Sequence, residues 1–353
     1  MAGISGHVSR VGCGFSGDRS GVNTGMDITI IIVNWNTRVL LQACLRAVGR
    51  AAEGLAAQVI VVDNGSTDGS SAMVVEEFPQ VELMRNADNV GFARAKNQAC
   101  ARATGRYVLL LNPDTEVQPR AVSRMVQYLD ATPDCAGVTA VLRNPDGSLQ
   151  RYHKQLPRWP SILCSETVLR NLCPDNRWLR AFYMLDTPFD TVTEVEQPPA
   201  ACLMLRRSLF GREPLFDERF PIFYNDVDLC RRLSDDGRRL RVLPEAEVLH
   251  HGGAGGVGAL PDQGVADCLI GLVRYYRKHD GLVAASLLWS ILTLNSLLVL
   301  AIGFGKVACA RRPLSWWTQE AAKRARLAIG RESFHYPSIE KGRPIACAAP
   351  CRH

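Results

Sequence analysis

No two of the twelve cysteines have the CxxC spacing of a zinc site; the closest pair, Cys347 and Cys351, stands in an irregular tail with no second pair. Nor does a chain of 353 residues call for the disulfide framework that so many cysteines would signal in a small secreted domain. They are scattered singly, several inside apolar runs (Cys44, Cys100, Cys202, Cys230), where a thiol acts as a small hydrophobe. Reduced thiols in a cytosolic compartment are therefore expected. Residues 1–26 lack the apolar stretch of a secretory signal and are expected to be a disordered lead-in. Aromatics are few, at 7%, and are not interleaved with the basic residues, so no nucleic-acid partner is expected. The net charge of +6 is modest. It gathers after Leu205, in Arg206-Arg207, Arg231-Arg232, Arg238-Arg239, Arg274–Lys278 and Arg311-Arg312, where it brackets an apolar segment. A membrane surface is the partner this distribution suits.

One glycine pattern has to be set aside. Gly12-Cys13-Gly14-Phe15-Ser16-Gly17 has dinucleotide-fingerprint spacing, but it follows no strand and opens no helix, so its glycines have no pyrophosphate to approach.

Apolar residues at 47% and charged residues at 22% describe a chain with a real core. Ile28–Val33 is an unbroken β-branched run, the pattern of a buried parallel strand. Asn34–Thr37 offers caps for a helix over Val39–Ala52. Gln58–Val62, Val81–Arg85 and Tyr107–Leu111 are further strands, separated by helices over Ser70–Phe78 and from Phe92 to Ala103. This alternation predicts a doubly wound, mainly parallel α/β sheet. Open sheets of this kind bind ligands beyond the carboxyl ends of their strands, where Asn34, Asp63 and Asp114 fall. Two acidic loops over one crevice suit a hard divalent cation, Mg2+ or Mn2+, and a nucleoside diphosphate. Asp63 can accept from the imino N–H of a pyrimidine, Asn112 is placed for a ribose hydroxyl, and Asp114 for the metal. Asp68 is read as the cap of the next helix. Lys96 or Arg94 could meet the diphosphate, against the plainer reading of both as a solvated helix face.

Beyond about Thr132 the rhythm changes. Asn144–Gly147 is a turn between two short strands, and Leu156–Pro199, rich in proline and aromatics, suits a lid or substrate loop. Ala200–Leu205 is a strand, and Val227–Leu233 a helix with acids in its first turn and Gly237 at its end. Leu240–Leu243 and Val248–His251 are short strands, followed by the glycine tract Gly252–Gly258. Gly281–Gly305 holds about 22 mostly apolar residues, enough to span a bilayer. Basic flanks on both sides (Arg274, Arg277, Lys278; Lys306, Arg311, Arg312) and a polar centre at Thr293, Asn295 and Ser296 instead favour a helix lying in or dipping into one leaflet. The competing reading is a buried core helix.

Six segments in fixed order carry a resemblance: VNWN (Val33–Asn36), VVDNGSTDGS (Val61–Ser70), NVGFARAKN (Asn89–Asn97), LLLNPDTEV (Leu109–Val117), FDERFPIFYNDVDLCRRL (Phe216–Leu233) and LPEAEVLHHGG (Leu243–Gly253). Together they resemble the inverting family 2 glycosyltransferases of GT-A fold, in particular rhamnosyltransferase-like members that build cell-surface polysaccharide, over roughly Ile28 to Lys278. The resemblance implies a nucleotide-sugar donor (dTDP-rhamnose or a UDP-sugar), a divalent metal, a glycan or lipid-linked acceptor, and single displacement at the cytoplasmic face of the cell membrane. It implies that Asp226 is the catalytic base, that Asp114 and His250 hold the metal, and that Asp63 and Asn112 contact the nucleotide sugar; Asn34, Asn36 and Lys96 are expected to join them there from their places in the loops. His251 is the weaker twin of His250. The organisation expected is an extension over 1–26 and a GT-A domain over 27–279, with a donor half (27–132) and an acceptor half (133–279). A membrane-associated segment over 280–310 and a basic tail over 311–353 complete it.

There are departures. Asn225 stands where the family usually has an acid, Ala200-Ala201 where it has Gly-Ala, and Asn112 opens the metal motif in place of Asp. No QxxRW-type sequence follows Asp226, which favours transfer of single sugars. A catalytically degenerate nucleotide-sugar-binding partner protein and a nucleotidyltransferase are the alternatives, the latter disfavoured because VNWNTRVLL lacks a phosphate-loop glycine.

Overall fold

The computed structural model describes residues 25–211, 214–252 and 261–308, with isolated positions between 315 and 325. The Gly12–Gly17 pattern, the glycine tract beyond Gly252, Arg311-Arg312 and the rest of the basic tail lie outside the described residues, as does the lead-in apart from Gly25 and Met26.

Strand β1 (Ile28–Asn34) is buried along its whole length. It pairs in parallel with β2 (Ala57–Asn64) on one side and β4 (Tyr107–Leu111) on the other, and β2 pairs in parallel with β3 (Glu82–Asn86). Strand side chains alternate between faces. Ile30 and Ile32 therefore enter one core, with Leu41 and Cys44 of α1 (Arg38–Ala51), Met73 of α2 (Ser70–Glu77) and Met125 of α4 (Ala121–Ala131). Ile31 and Val33 enter the other, with Ala95 and Ala99 of α3 (Phe92–Cys100). Burial on both faces is why these strands read as continuous apolar runs.

The second half extends the same sheet. The strand order is β3-β2-β1-β4-β8-β6-β9-β5, with β7 paired to β9. Here β5 is Thr115–Val117, β6 Cys135–Arg143, β7 Thr193–Val195, β8 Cys202–Arg206 and β9 Arg239–His250. β8 is antiparallel to both β4 and β6, and β5 and β7 are antiparallel to β9; the remaining strands share one direction, as the expected mainly parallel sheet requires.

Three expectations change. The segment Leu156–Pro199 is not a loop: it holds α5 (Trp159–Glu166), α6 (Leu169–Leu172), α7 (Arg177–Phe182) and β7. Its signals were local, since Pro160 occupies the first turn of α5 and Asn176 Oδ1 caps α7 by accepting from Trp178 N (3.0 Å) and Leu179 N (3.1 Å). The two short strands around Pro244 are one twelve-residue strand, β9, whose register against β6 shifts between Leu243 and Glu247. A proline has no ladder N–H to give, and the irregularity accommodates it. The turn Asn144–Gly147 follows a nine-residue strand, and the segment just past it forms isolated bridges, Arg143–Leu149 and Lys154–Gln197, in place of a second short strand.

Helix α8 (Asn225–Asp235) carries Asp226 and Asp228 in its first turn, and Gly237 beyond it takes φ 70°, the left-handed conformation that ends a helix at little cost in glycine. α9 (Pro261–His279) and the 28-residue α10 (Gly281–Ala308) follow. Only 22% of the most apolar 18-residue stretch of α10 is buried, which contradicts the core-helix reading. Lys278, counted above as a free flank charge, instead pairs with Asp217 (2.8 Å) and buried Asp228 (2.6 Å), and Arg274 donates to the Arg219 carbonyl.

Candidate active site

The parallel register sets Asn34 beside Asp63 at the carboxyl ends of β1 and β2. Both are buried, and Asn34 Nδ2 donates to Asp63 Oδ1 (3.2 Å) and to Ser66 Oγ (3.1 Å). Asn34 Oδ1 accepts from Thr37 Oγ1 (2.6 Å), so the Thr37 hydroxyl is spent on Asn34 and does not cap α1. Asn34 is thus a tether whose polar groups face the protein, not an open contact. Asn36, at φ 53°, accepts from Thr67 N through its side-chain oxygen (2.8 Å) and clips the two loops together. Asp68 accepts from Ser70 N (3.0 Å) and Arg38 N (2.8 Å), a structural role, although the N-cap position of α2 is Gly69 and not Asp68 as expected. The second Asp63 oxygen accepts from Ser71 Oγ. A carboxylate has about four lone-pair positions, so Asp63 keeps capacity for a further donor.

β4 ends at Leu111, and the turn Asn112–Asp114 begins where Asn112 N donates to Ala201 O (2.9 Å). The Oδ1 of Asn112 is buried with no hydrogen-bond partner. An orphaned buried acceptor is costly, roughly 1–3 kcal/mol, and this oxygen remains available to a donor or cation from outside the chain.

Asp114 and His250 meet because Thr115 and His250 are register partners in the β5–β9 pair. Both side chains are buried, with Asp114 Oδ1 and His250 Nε2 3.4 Å apart. Gln150 sets the imidazole. Its amide nitrogen donates to Asn144 Oδ1 (2.8 Å) and to the His250 carbonyl (3.1 Å), so its oxygen must accept from His250 Nδ1 (2.6 Å). With its hydrogen on Nδ1, a neutral imidazole turns the Nε2 lone pair toward the Asp114 carboxylate. Two lone-pair donors facing each other fit a shared cation. Among the described residues no cluster of three or more His, Cys, Asp or Glu surrounds this point. Two protein ligands, with the remaining positions left to phosphate oxygens and water, is the usual manner of Mg2+ or Mn2+ beside a diphosphate. His251 is engaged elsewhere, with Glu116 (2.9 Å).

Asp226 approaches the same end of the sheet from α8. Its carboxylate accepts from Val227 N (2.9 Å) and from Ala200 N (3.4 Å), at the entrance to β8, the strand that abuts β4. The half-buried group keeps lone pairs for another proton. Neighbouring Asn225 is buried, and its Nδ2 donates to the Ile222 carbonyl. An ionised carboxylate has no hydrogen to donate in that bond.

Lys96 overturns the solvated-face reading. It is 2% exposed, its Nζ lies 4.0 Å from the Phe92 ring centroid and 4.9 Å from that of Phe216, and it has no hydrogen-bond acceptor. Burial pulls its pKa down to about 8, against the field of Asp226, which pulls it up. Arg94 stays exposed. The N–H groups that open α3 are not free for an anion, because Phe92 N (2.6 Å) and Ala93 N (3.1 Å) donate to the Pro221 carbonyl. Gly91 permits this approach: φ is 87°, and a Cβ there would stand 3.2 Å from Pro221 Cβ.

The pattern reading missed Gln150, Ser71 and Thr37. Each acts through a partner distant in sequence or through a side chain with an ordinary local role; Gln150 lies a hundred residues from His250. The eight described cysteines are all unpaired, and burial lifts the Cys44 thiol to about 12, the state of an inert core thiol.

This arrangement can be set beside known proteins. Residues 29–210 match the model of "Glycosyl transferase family 2". An N-acetylglucosaminyl-diphospho-decaprenol L-rhamnosyltransferase of Mycobacterium tuberculosis is 29% identical over 241 residues, covering 64% of this chain and 76% of that protein. The succinoglycan biosynthesis protein ExoO of Rhizobium meliloti is 30% identical over 233 residues, covering 64% of this chain and 60% of its own length. The crystal structure of S. aureus TarS overlays with a TM-score of 0.46 and 14% identity, over 76% of this chain and 42% of that one. The family match covers more than half of the chain, and the chain is a glycosyltransferase belonging to glycosyl transferase family 2.

Proposed function

We propose that this enzyme moves a single sugar, with inversion, from a nucleoside-diphosphate donor to a lipid-diphosphate-linked glycan, and that L-rhamnose is the sugar. The facing pair Asp114 and His250, with orphaned Asn112 Oδ1 beside the same strand end, carries the reading. The name of the mycobacterial relative supports the choice of sugar and acceptor. Asp63 would accept from the base of dTDP or UDP, and Asn112 from a ribose hydroxyl. Asp114 and His250 would hold Mg2+ or Mn2+, which when bound supplies positive charge to the leaving diphosphate. Asp226 would take the proton of the acceptor hydroxyl as that oxygen bonds the anomeric carbon and the nucleoside diphosphate departs. Donor incubated with pure protein and Mn2+ should yield free nucleoside diphosphate. Release of pyrophosphate would turn the assignment to a nucleotidyltransferase, and no turnover with bound donor would turn it to a binding protein.

Lys96 has a separate signature. If its buried ammonium is held for the donor diphosphate, Lys96→Met should weaken donor binding about tenfold or more, the scale of losing a charged hydrogen bond. The same change should stabilise the free protein. The folded pKa, about 8, lies below the ordinary 10.5, so the unfolded chain binds the extra proton between these values. The penalty is fully present below about pH 8 and vanishes as pH rises toward 10.5, about 3 kcal/mol at most. Melting of both proteins across that pH window checks it; an unchanged difference at high pH would show that charge burial is not the cause.

We also place α10 in the membrane, lying in or dipping into the cytoplasmic leaflet. It is long and apolar enough to cross, with mean hydropathy 2.1, yet it also packs on the catalytic domain through Ala285, Leu288 and Leu292. Washing membranes with high salt should leave the full-length protein bound, and detergent should release it. Release by salt alone would show that charge, not the apolar helix, holds it.

A further inference from the structure

The helix α10 meets the domain in an unusual place. Asn295, the middle residue of its polar cluster, accepts from Val168 N (2.9 Å) and donates to the Glu166 carbonyl (3.3 Å), which join the end of α5 to the start of α6. Asn295 lies fifteenth of 28 residues in a helix about 42 Å long at 1.5 Å per residue. A helix standing upright across the bilayer over its whole length would therefore draw α5 and α6 to the hydrocarbon midplane. Arg324 also reaches this level, donating to Ser296 Oγ (3.5 Å), and a guanidinium there would be expensive in hydrocarbon. With α10 along the membrane surface, the α5–α6 junction comes to lie at the interface beside it, and α6 and α7, which both pack on α5, are carried with it.

The surface of α6–α7 fits that position. Every residue from Leu169 to Asp175 is exposed. Leu169 and Leu172, three apart and so on one helix face, are 41% and 71% exposed, and Trp178 is 42% exposed. Arg170 and Arg177 have no carboxylate within salt-bridge range among the described residues, and Arg177 stacks 4.5 Å from the Trp178 ring. Asp175 and Asp186 both pair with Arg180, which leaves one negative charge in that group against the two positive charges of Arg170 and Arg177. Exposed leucines, an interfacial tryptophan and unpaired arginines are the composition that seats a helix in an anionic leaflet.

We propose that α6–α7 is a second membrane-contact element, which sets Leu169, Leu172 and Trp178 into the interface of an anionic bilayer next to α10. The inference rests on the reading of α10 as membrane-bound. Two contacts instead of one fix the tilt at which the catalytic crevice meets a lipid-linked acceptor.

Cys173, exposed between the two helices, is a native reporter. The full-length protein is reconstituted into phosphatidylcholine vesicles with or without phosphatidylglycerol, and a charged maleimide is added. Labelling of the Cys173 peptide is read by mass spectrometry against Val75→Cys, an exposed position on α2 in the opposite layer. Cys173 should label roughly tenfold or more slowly than the control in anionic vesicles. Arg170→Glu with Arg177→Glu should remove that protection while the protein still resists salt extraction. Both arginines are exposed and have no carboxylate partner among the described residues, so the reversal costs the fold only the stack of Arg177 on Trp178. Equal labelling of the two sites, with the protein still salt-resistant, would overturn the inference and leave membrane binding by α10 standing. Salt release together with equal labelling would sink both readings. Protection that follows protein concentration and ignores lipid charge would assign the face to a second copy of the chain and also overturn it.

Discussion

Asp226→Asn is expected to abolish sugar transfer, by about a hundredfold or more, while donor affinity changes little. The carboxylate sits at the start of α8 against the Ala200 amide, just before β8, and Ala201 next to it accepts from Asn112 N. Val227 N and Ala200 N donate to different oxygens of the carboxylate, so an asparagine oxygen keeps the shorter bond to Val227 N and gives up the long one to Ala200 N, a small cost to the fold. The main loss is the ability to take a proton. Titrating donor against the variant while measuring turnover separates the two effects. Retention of more than about a tenth of wild-type turnover would be incompatible with a general base at this position. Loss of donor affinity in step with rate would move Asp226 into the donor site.

Asp114→Ala should behave differently, losing donor affinity and rate together. In the proposed site the carboxylate is one of two protein ligands to the cation that meets the diphosphate, and His250 alone would hold it poorly. The wild-type protein should bind donor more tightly in Mn2+ than in EDTA, and the variant should lose that difference. Removing the carboxylate leaves the Gln150 bond to His250 Nδ1 in place, so the imidazole stays oriented and a general collapse of the pocket is not expected. Equal donor affinity in EDTA and Mn2+ for the wild type would take the metal out of the mechanism and make Asp114 a turn residue.

What could be read along the chain was whatever is written in period and punctuation. β1, β2 and β4 announce themselves as β-branched or leucine runs because both of their faces are buried. Their ends are marked by Asn34, Asp63 and Asp114, and strand direction alone sends those ends to one edge of the sheet. The acids of the crevice were legible for that reason, and so was the first turn of α8. The helices α5 and α7 were equally local, through Pro160 and Asn176, but a proline- and aromatic-rich composition hid them.

Pairing decided the rest. Whether Asn34 faces a ligand or the protein depends on Ser66 and Thr37, and whether Lys278 meets lipid or Asp228 depends on how α9 crosses α8. Lys96 looked like a solvated cation until Phe216, from a loop far along the chain, closed over it. His250 gains its orientation from Gln150, and Asn295 its partner from the end of α5. A polar side chain carries its donors and acceptors wherever it goes, but long-range packing chooses which of them are consumed. That choice separates a tether such as Asn34 from Asn112, whose buried oxygen is still unmatched.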